Sequence, residues 1–204
     1  NYSFVSGPDK HEFNAIVKPL LGQKNLYIFA SKSLATDETL SCLKWLGKNR
    51  TEKNSIVITA NSEGARALGF SEASIIPFPE SVGGRYSIWS PISLTAGVEN
   101  NFTSFLQGGG MTDSLLSGSS KNARKYQKLI KTLAFSDIWH SNFCNKKNRV
   151  VLTYNWKLRS LANYIQQLEM ESLGKPSNAE SIFHETGQTI FGGFGSTAQH
   201  SYFQ

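Results

Sequence analysis

The chain has 204 residues, of which 39% are hydrophobic and 18% charged, enough to bury a core and unlike a disordered composition. No apolar run approaches the roughly 20 residues of a membrane helix, and no charged-then-apolar leader opens the chain. The formal charge of +6 admits an anionic partner. The cations, however, gather in three short runs (44–53, 121–131 and 146–149) beside predicted helix ends, where they are favoured anyway. That pattern suits a solvated face or a small anionic substrate better than nucleic acid. Two cysteines, Cys42 and Cys144, form no CxxC and have no paired histidine, which argues against a thiolate metal site or a disulfide framework. A reducing cytoplasm fits. The ends at Asn1 and Gln204 predict an internal piece of a longer protein.

Residues 25–30 (NLYIFA) form a short apolar run rich in β-formers, followed at once by Ser31-Lys32-Ser33. Thr36 to Lys48 has helical spacing, with Leu40, Leu43, Trp45 and Leu46 on the apolar side. Residues 55–60 and 73–78 read as second and third strands. Alternating strand and helix predicts a parallel α/β sheet, and continuously apolar strands predict burial on both faces. From Ser90 to about Ser141 the pattern is helical, with breaks expected at Gly108-Gly109-Gly110 and Gly118. A strand at 150–154, an amphipathic helix over 157–171 and a strand at 189–191 before Gly192-Gly193 resume the α/β order. No internal repeat or low-complexity tract appears. The expected organisation is an α/β unit over 1–95, a helical bridge over 96–120 and a second α/β unit over 121–204.

Four segments carry candidate chemistry. In Gly83-Gly84-Arg85-Tyr86-Ser87-Ile88-Trp89-Ser90, two glycines allow positive φ and close approach to a ligand. Arg85 then offers a fixed fork of donors to an anion, with a helix expected to begin where the loop ends. A plain turn with a surface arginine is the alternative. Ser31-Lys32-Ser33-Leu34-Ala35-Thr36 follows a strand and opens a helix, the place where doubly wound sheets bind ligands. Its hydroxyls, Lys32 and free N–H groups suit a phosphate monoester, although serine and threonine also serve as ordinary helix caps. On the helix ending near Gly174, Gln167 and Glu171 share a face with Tyr164. A buried carboxylate there would make a general base, and a solvated helix end is the alternative. Glu169 and Glu171 point about 200° apart, so at most one of them faces a site. Gly192 to His200 is glycine-rich but lacks GxGxxG or Walker spacing, and His200 is its proton-shuttling candidate. His11, His140 and His184 read as surface or packing residues.

Taken together these segments resemble the glucose-6-phosphate isomerase family. Gly83–Ser90 resembles its GGRYSxWS signature, and 166–175 (QQLEMESLGK) its QQxxMESxGK segment. Residues 195–202 (GSTAQHSY) resemble GSTxQHxY, and Ser31–Thr36 resembles the sugar-phosphate turn SKTxxT. The resemblance implies parts of two SIS-type (sugar-isomerase) doubly wound parallel-sheet domains of three αβα layers. It implies interconversion of glucose 6-phosphate and fructose 6-phosphate through a cis-enediol, with no metal or organic cofactor. By motif, Glu171 would move the proton, Arg85 would stabilise the enediolate, and His200 would assist ring opening from the partner subunit of a homodimer. Ser31, Lys32, Ser33 and Thr36 would hold the phosphate, with Gly84 and Gln167 lining the sugar pocket. Neither nucleic acid nor membrane is an expected partner.

The chain departs from the pattern at Ala35, where a hydroxyl residue is common, and at Gly192-Gly193-Phe194, where many members have Gly-Glu-Pro. An upstream glycine-serine phosphate loop and a downstream catalytic lysine would lie outside 1–204, so the chain alone is expected to be inactive. A non-catalytic sugar-phosphate-sensing SIS module would keep the Ser31–Thr36 turn without needing Arg85, Glu171 and His200 together. A nucleic-acid-binding protein is supported only by the +6 charge.

Overall fold

Ile56-Val57-Ile58 carries β-branched side chains on both faces of a strand and is stable only when both are covered. In the computed structural model, which describes residues 2–99 and 101–203, this run is the middle of a parallel sheet. The order is β1 (Tyr27–Ala30), β2 (Ser55–Thr59), β3 (Ile75–Pro77). Val57 and Ile58 point to opposite faces, and both are fully buried. Cover on the Val57 side includes α1 (Lys10–Val17), α2 (Asp37–Leu46) and α3 (Ser62–Ala67). Phe13, Val17, Leu46 and Ala65 from these helices join Phe29, Val57 and Phe70 in one apolar cluster. Burying a side chain such as Ile58 contributes about 2–3 kcal/mol. The third strand is shorter than its apolar run, because Glu72–Ser74 forms a 3₁₀ turn.

Beyond β3, 3₁₀ turns at Gly84–Trp89 and Pro91–Ser93 lead into α4 (Leu94–Glu99) and α5 (Phe102–Ser117). The chain divides into two compact units, Asn1–Gln107 and Gly108–Gln204. The expected break at Gly108-Gly109-Gly110 is absent, since all three glycines are helical within α5. Each weakens a helix by about 1 kcal/mol relative to alanine, and the carbonyls of Gly108 and Gly110 accept hydrogen bonds from Thr112 (3.1 Å) and Ser114 (2.9 Å). The helix stops at Gly118, whose N–H donates to the Ser114 carbonyl at 2.9 Å. Gln127 then caps it, donating to the carbonyls of Leu115, Leu116 and Gly118 at 2.8–3.1 Å.

The second unit contains α6 (Lys121–Ile138), a π-helical turn at Trp139–Phe143, β4 (Asn148–Thr153), α7 (Leu161–Leu173), β5 (Thr189–Phe194) and α8 (Gly195–Tyr202). β4 and β5 are parallel, with Val151 opposite Gly192 and Thr153 opposite Phe194. The glycine pair expected to end β5 lies inside it. A Cβ on Gly192 would stand 1.9 Å from the Val151 carbonyl oxygen, so only glycine fits. The helix expected from Lys157 starts at Leu161, after a 3₁₀ turn at Trp156–Leu158. The basic run 121–131 occupies the first half of α6, where the helix dipole opposes cations rather than favouring them. Among the described residues no helix is long and apolar enough to cross a membrane.

Candidate active site

The phosphate-type turn leaves the carboxyl edge of the first sheet. Ser31 continues the β1 register, its N–H donating to the Ile58 carbonyl at 3.1 Å. Ser31 Oγ accepts from the Leu34 N–H and Ser33 Oγ from the Ala35 N–H, each at 3.2 Å, so both hydroxyl protons stay free to donate to an anion. Leu34 adopts φ +53°, a left-handed conformation costing roughly 1–2 kcal/mol, and its buried side chain offsets that strain. Thr36 precedes α2 in extended conformation but does not cap it; its Oγ1 lies 3.1 Å from Thr39 Oγ1 instead. The ordinary capping alternative therefore fails at Thr36. Lys32, Ser33 and Thr36 are all exposed.

Gly83–Ser90 rises beyond the carboxyl end of β3, two strands away on the same sheet edge. Neither glycine takes positive φ, and the 3₁₀ turn begins at Gly84, so Arg85 lies within the turn rather than in a loop before a helix. Any anion-binding capacity of this segment would therefore come from the Arg85 guanidinium and not from an α-helix terminus. Hydroxyls hold the backbone of this segment: Ser87 Oγ donates to the Gly84 carbonyl (2.7 Å), Ser90 Oγ to Ser87 (2.6 Å), and the downstream Ser93 Oγ to Ile88 (2.6 Å). Trp89 stacks on Phe105 at 4.5 Å. Gly84 is exposed, and a Cβ there would meet nothing within 4 Å, which leaves open space beside Arg85. Arg85 is exposed and makes no hydrogen bond or ion pair with the described residues of its unit.

On α7 the two glutamates part company. Glu169 pairs with Arg149, which also binds Asp137 at 3.0 Å, tying α7 to β4 and α6. Burial works against the Arg149 charge, but the hydrogen bonds and charges of Glu169 and Asp137 more than offset it, holding its pKa above the ordinary arginine value. Glu171, on the other face, meets only Gln167 Nε2 at 3.5 Å. It is exposed, so the buried surroundings expected for a base are absent within this unit. In the run 146–149, Lys147 pairs with Glu185 at 2.6 Å on the surface, and Arg149 forms the cluster above. The helix ends as expected at Gly174, whose N–H donates to the Met170 carbonyl at 2.8 Å.

The segment carrying His200 is a helix rather than a glycine-rich loop. α8 springs from the carboxyl end of β5, and Tyr202 comes to lie edge-on to Phe191 at 5.1 Å. Gly195 gives the Tyr154 ring room to pack, since a Cβ there would lie 2.6 Å from the ring and push it aside. Tyr154 Oη donates to Gln199 Oε1 at 2.9 Å, fixing the residue before His200. Tyr154, expected as the last residue of the 150–154 strand, lies just past β4, and its contact with Gln199 carried no signal in the sequence. His200 is exposed, as are His11, His140 and His184. Within this unit no hydrogen bond joins His200 to Glu171 among the described residues.

The phosphoglucose isomerase family profile matches residues 1–204. The chain belongs to the phosphoglucose isomerase family. It is 35% identical over 219 aligned positions to glucose-6-phosphate isomerase of Shewanella sp. (strain ANA-3), covering 100% of this chain and 39% of that protein. It is 32% identical over 217 positions to glucose-6-phosphate isomerase of Legionella pneumophila (strain Lens), covering 100% of this chain and 42% of that protein. The chain therefore spans about two fifths of these relatives. The crystal structure of a glucose-6-phosphate isomerase from Chlamydia trachomatis superimposes with TM-score 0.80 at 22% identity, covering 98% of this chain and 40% of the other. A hypothetical protein from Thermus thermophilus gives TM-score 0.73 at 23% identity, covering 95% and 46%. The fold is the SIS-type α/β fold of phosphoglucose isomerases.

Proposed function

We propose that the full-length protein carrying this chain is a glucose-6-phosphate isomerase acting in glycolysis and gluconeogenesis in the cytoplasm, as a homodimer with shared sites. Residues 1–95 and 121–204 belong to its two SIS-type domains, with 96–120 between them. Glu171 takes the C2 proton of the open-chain aldose and returns it to C1. Arg85 offsets the negative charge that develops on the enediolate oxygen, a preorganised charge with no need of a metal. Ser31, Lys32, Ser33 and Thr36 hold the phosphate, Gly84 and Gln167 line the sugar, and His200 of the partner subunit assists ring opening. Arg85 thus meets the enediolate, because the Ser31–Thr36 turn already serves the phosphate.

The observation that carries this reading is the division of labour among like charges. Glu169 and Arg66 are consumed in ion pairs with Arg149 and Glu72. Glu171 and Arg85, the residues the motifs select, are left facing solvent. The test uses the full-length protein. Glu171→Gln and His200→Ala should each lose most fructose 6-phosphate turnover, by about 10²–10⁴-fold for the base. Mixed heterodimers of the two variants should regain activity through one intact site. Near-normal turnover in Glu171→Gln alone would sink the assignment, and verified heterodimers without recovery would sink the shared site.

A further inference from the structure

The Ser31–Thr36 turn is held by more than its own two serine hydroxyls: the end of the neighbouring strand pins its carbonyls. The Lys32 carbonyl accepts from Thr59 Oγ1 at 3.0 Å and from the Ala60 N–H at 3.1 Å. The Ser33 carbonyl accepts from Asn61 Nδ2 at 3.0 Å. Thr59 is fully buried, and its Oγ1 also accepts from the Asn61 N–H at 3.0 Å, so its hydroxyl has one orientation that satisfies both bonds. Asn61 is clamped in turn. Its Oδ1 accepts from the Gly64 N–H at 2.8 Å as the cap of α3, and a Cβ on Gly64 would stand 2.6 Å from Asn61 Nδ2. Only glycine at 64 leaves Asn61 where its amide can reach Ser33.

The consequence follows from the planar trans peptide, in which N–H and C=O point in opposite directions. Drawing the Lys32 carbonyl toward β2 turns the Ser33 N–H outward, where no described group accepts it. Drawing the Ser33 carbonyl the same way turns the Leu34 N–H onto Ser31 Oγ, whose proton then remains free. The same two carbonyl bonds hold Leu34 at φ +53°. Resting on the sugar-phosphate reading of this turn, we propose that Thr59 and Asn61 are positioning residues. They touch no substrate, but by pinning the Lys32 and Ser33 carbonyls they aim the donors of the turn at the phosphate.

The experiment measures, in the full-length protein, kcat and KM for fructose 6-phosphate, competition by inorganic phosphate, and Tm. Asn61→Ser keeps a capping hydroxyl for α3 but is too short to reach Ser33. It should raise both KM and the inhibition constant of phosphate about five- to tenfold, with kcat within about twofold and Tm little changed. Thr59→Val should do the same with some loss of Tm, and Thr59→Ser should restore binding. Unchanged KM and phosphate inhibition in Asn61→Ser would overturn the proposal, as would a parallel fall of kcat and Tm with no change in phosphate affinity. A wild-type protein that neither turns over the sugar phosphate nor binds inorganic phosphate would overturn the sugar-phosphate reading itself, and this proposal with it.

Discussion

The two units use the same ingredients, parallel strands with helices against them, and bury them unequally. In the first unit a central strand has cover on both faces, and most of the buried apolar side chains of the chain lie there. In the second unit only Ala123, Ala162 and Ile190 are buried hydrophobics among the described residues. Leu129, Leu133, Phe135, Trp139 and Phe143 on α6 and its π-helical turn are exposed there. A two-stranded sheet is marginal by itself, and this one is held by backbone fit at Gly192, by the Tyr154 ring against Gly195 and by the Arg149 cluster. The difference bears on function. The Ser31–Thr36 turn stands on a filled core, whereas in this chain Glu171 and His200 stand on elements that bury few apolar side chains among the described residues.

That contrast can be broken most forcefully with core truncations in the 204-residue chain. Ile58→Ala should lower stability by about 3–5 kcal/mol by leaving a cavity in a fully buried site, and Leu129→Ala on the exposed α6 face by under about 0.5 kcal/mol, read from denaturant midpoints. Equal losses would mean that this face of α6 is packed in the chain as well. Gly192→Ala should follow at about 2–3 kcal/mol, because the Val151 carbonyl is backbone and cannot swing aside; a neutral result would show that β4 and β5 tolerate a different register. Arg149→Met should cost about 1–2 kcal/mol, a figure reduced for its partial exposure, and a double-mutant cycle with Glu169→Gln should recover part of it. The smallest effect belongs to Glu72. The Arg66 hydrogen bond first, and its charge second, hold that exposed carboxyl below its ordinary pKa. Its stabilisation is present above the unfolded carboxylate pKa and fades as pH falls through the lower folded value. Glu72→Gln should therefore shift Tm barely at pH 7 and not at all near pH 2, by scanning calorimetry.

Much of the first unit was legible because its signals are local. Ser55–Thr59 and Tyr27–Ala30 are apolar runs bounded by polar residues, and both became parallel strands. The helix at α7 and its stop at Gly174 were equally visible. What escaped depended on contacts distant in sequence. Gly192 reads as a strand breaker until Val151 is seen opposite it. Gly108-Gly109-Gly110 reads as a helix break until the hydroxyls of Thr112 and Ser114 bond the Gly108 and Gly110 carbonyls. At the candidate site the motif residues could be named, and their freedom from ion pairs could not. Only Arg149, 20 residues before Glu169, decides which glutamate is left over. Thr59 and Asn61 carried no motif, since their role is to bond backbone atoms 27 and 28 residues away.

The central claim is that Glu171 carries the proton between C1 and C2. The direct measurement follows isotope exchange between solvent deuterium and the C1 and C2 positions of the substrate in the full-length protein, for wild type and Glu171→Gln at saturating fructose 6-phosphate. The account predicts exchange together with turnover in the wild type and loss of both in the variant, with substrate still bound. Exchange at a wild-type rate in Glu171→Gln would contradict it.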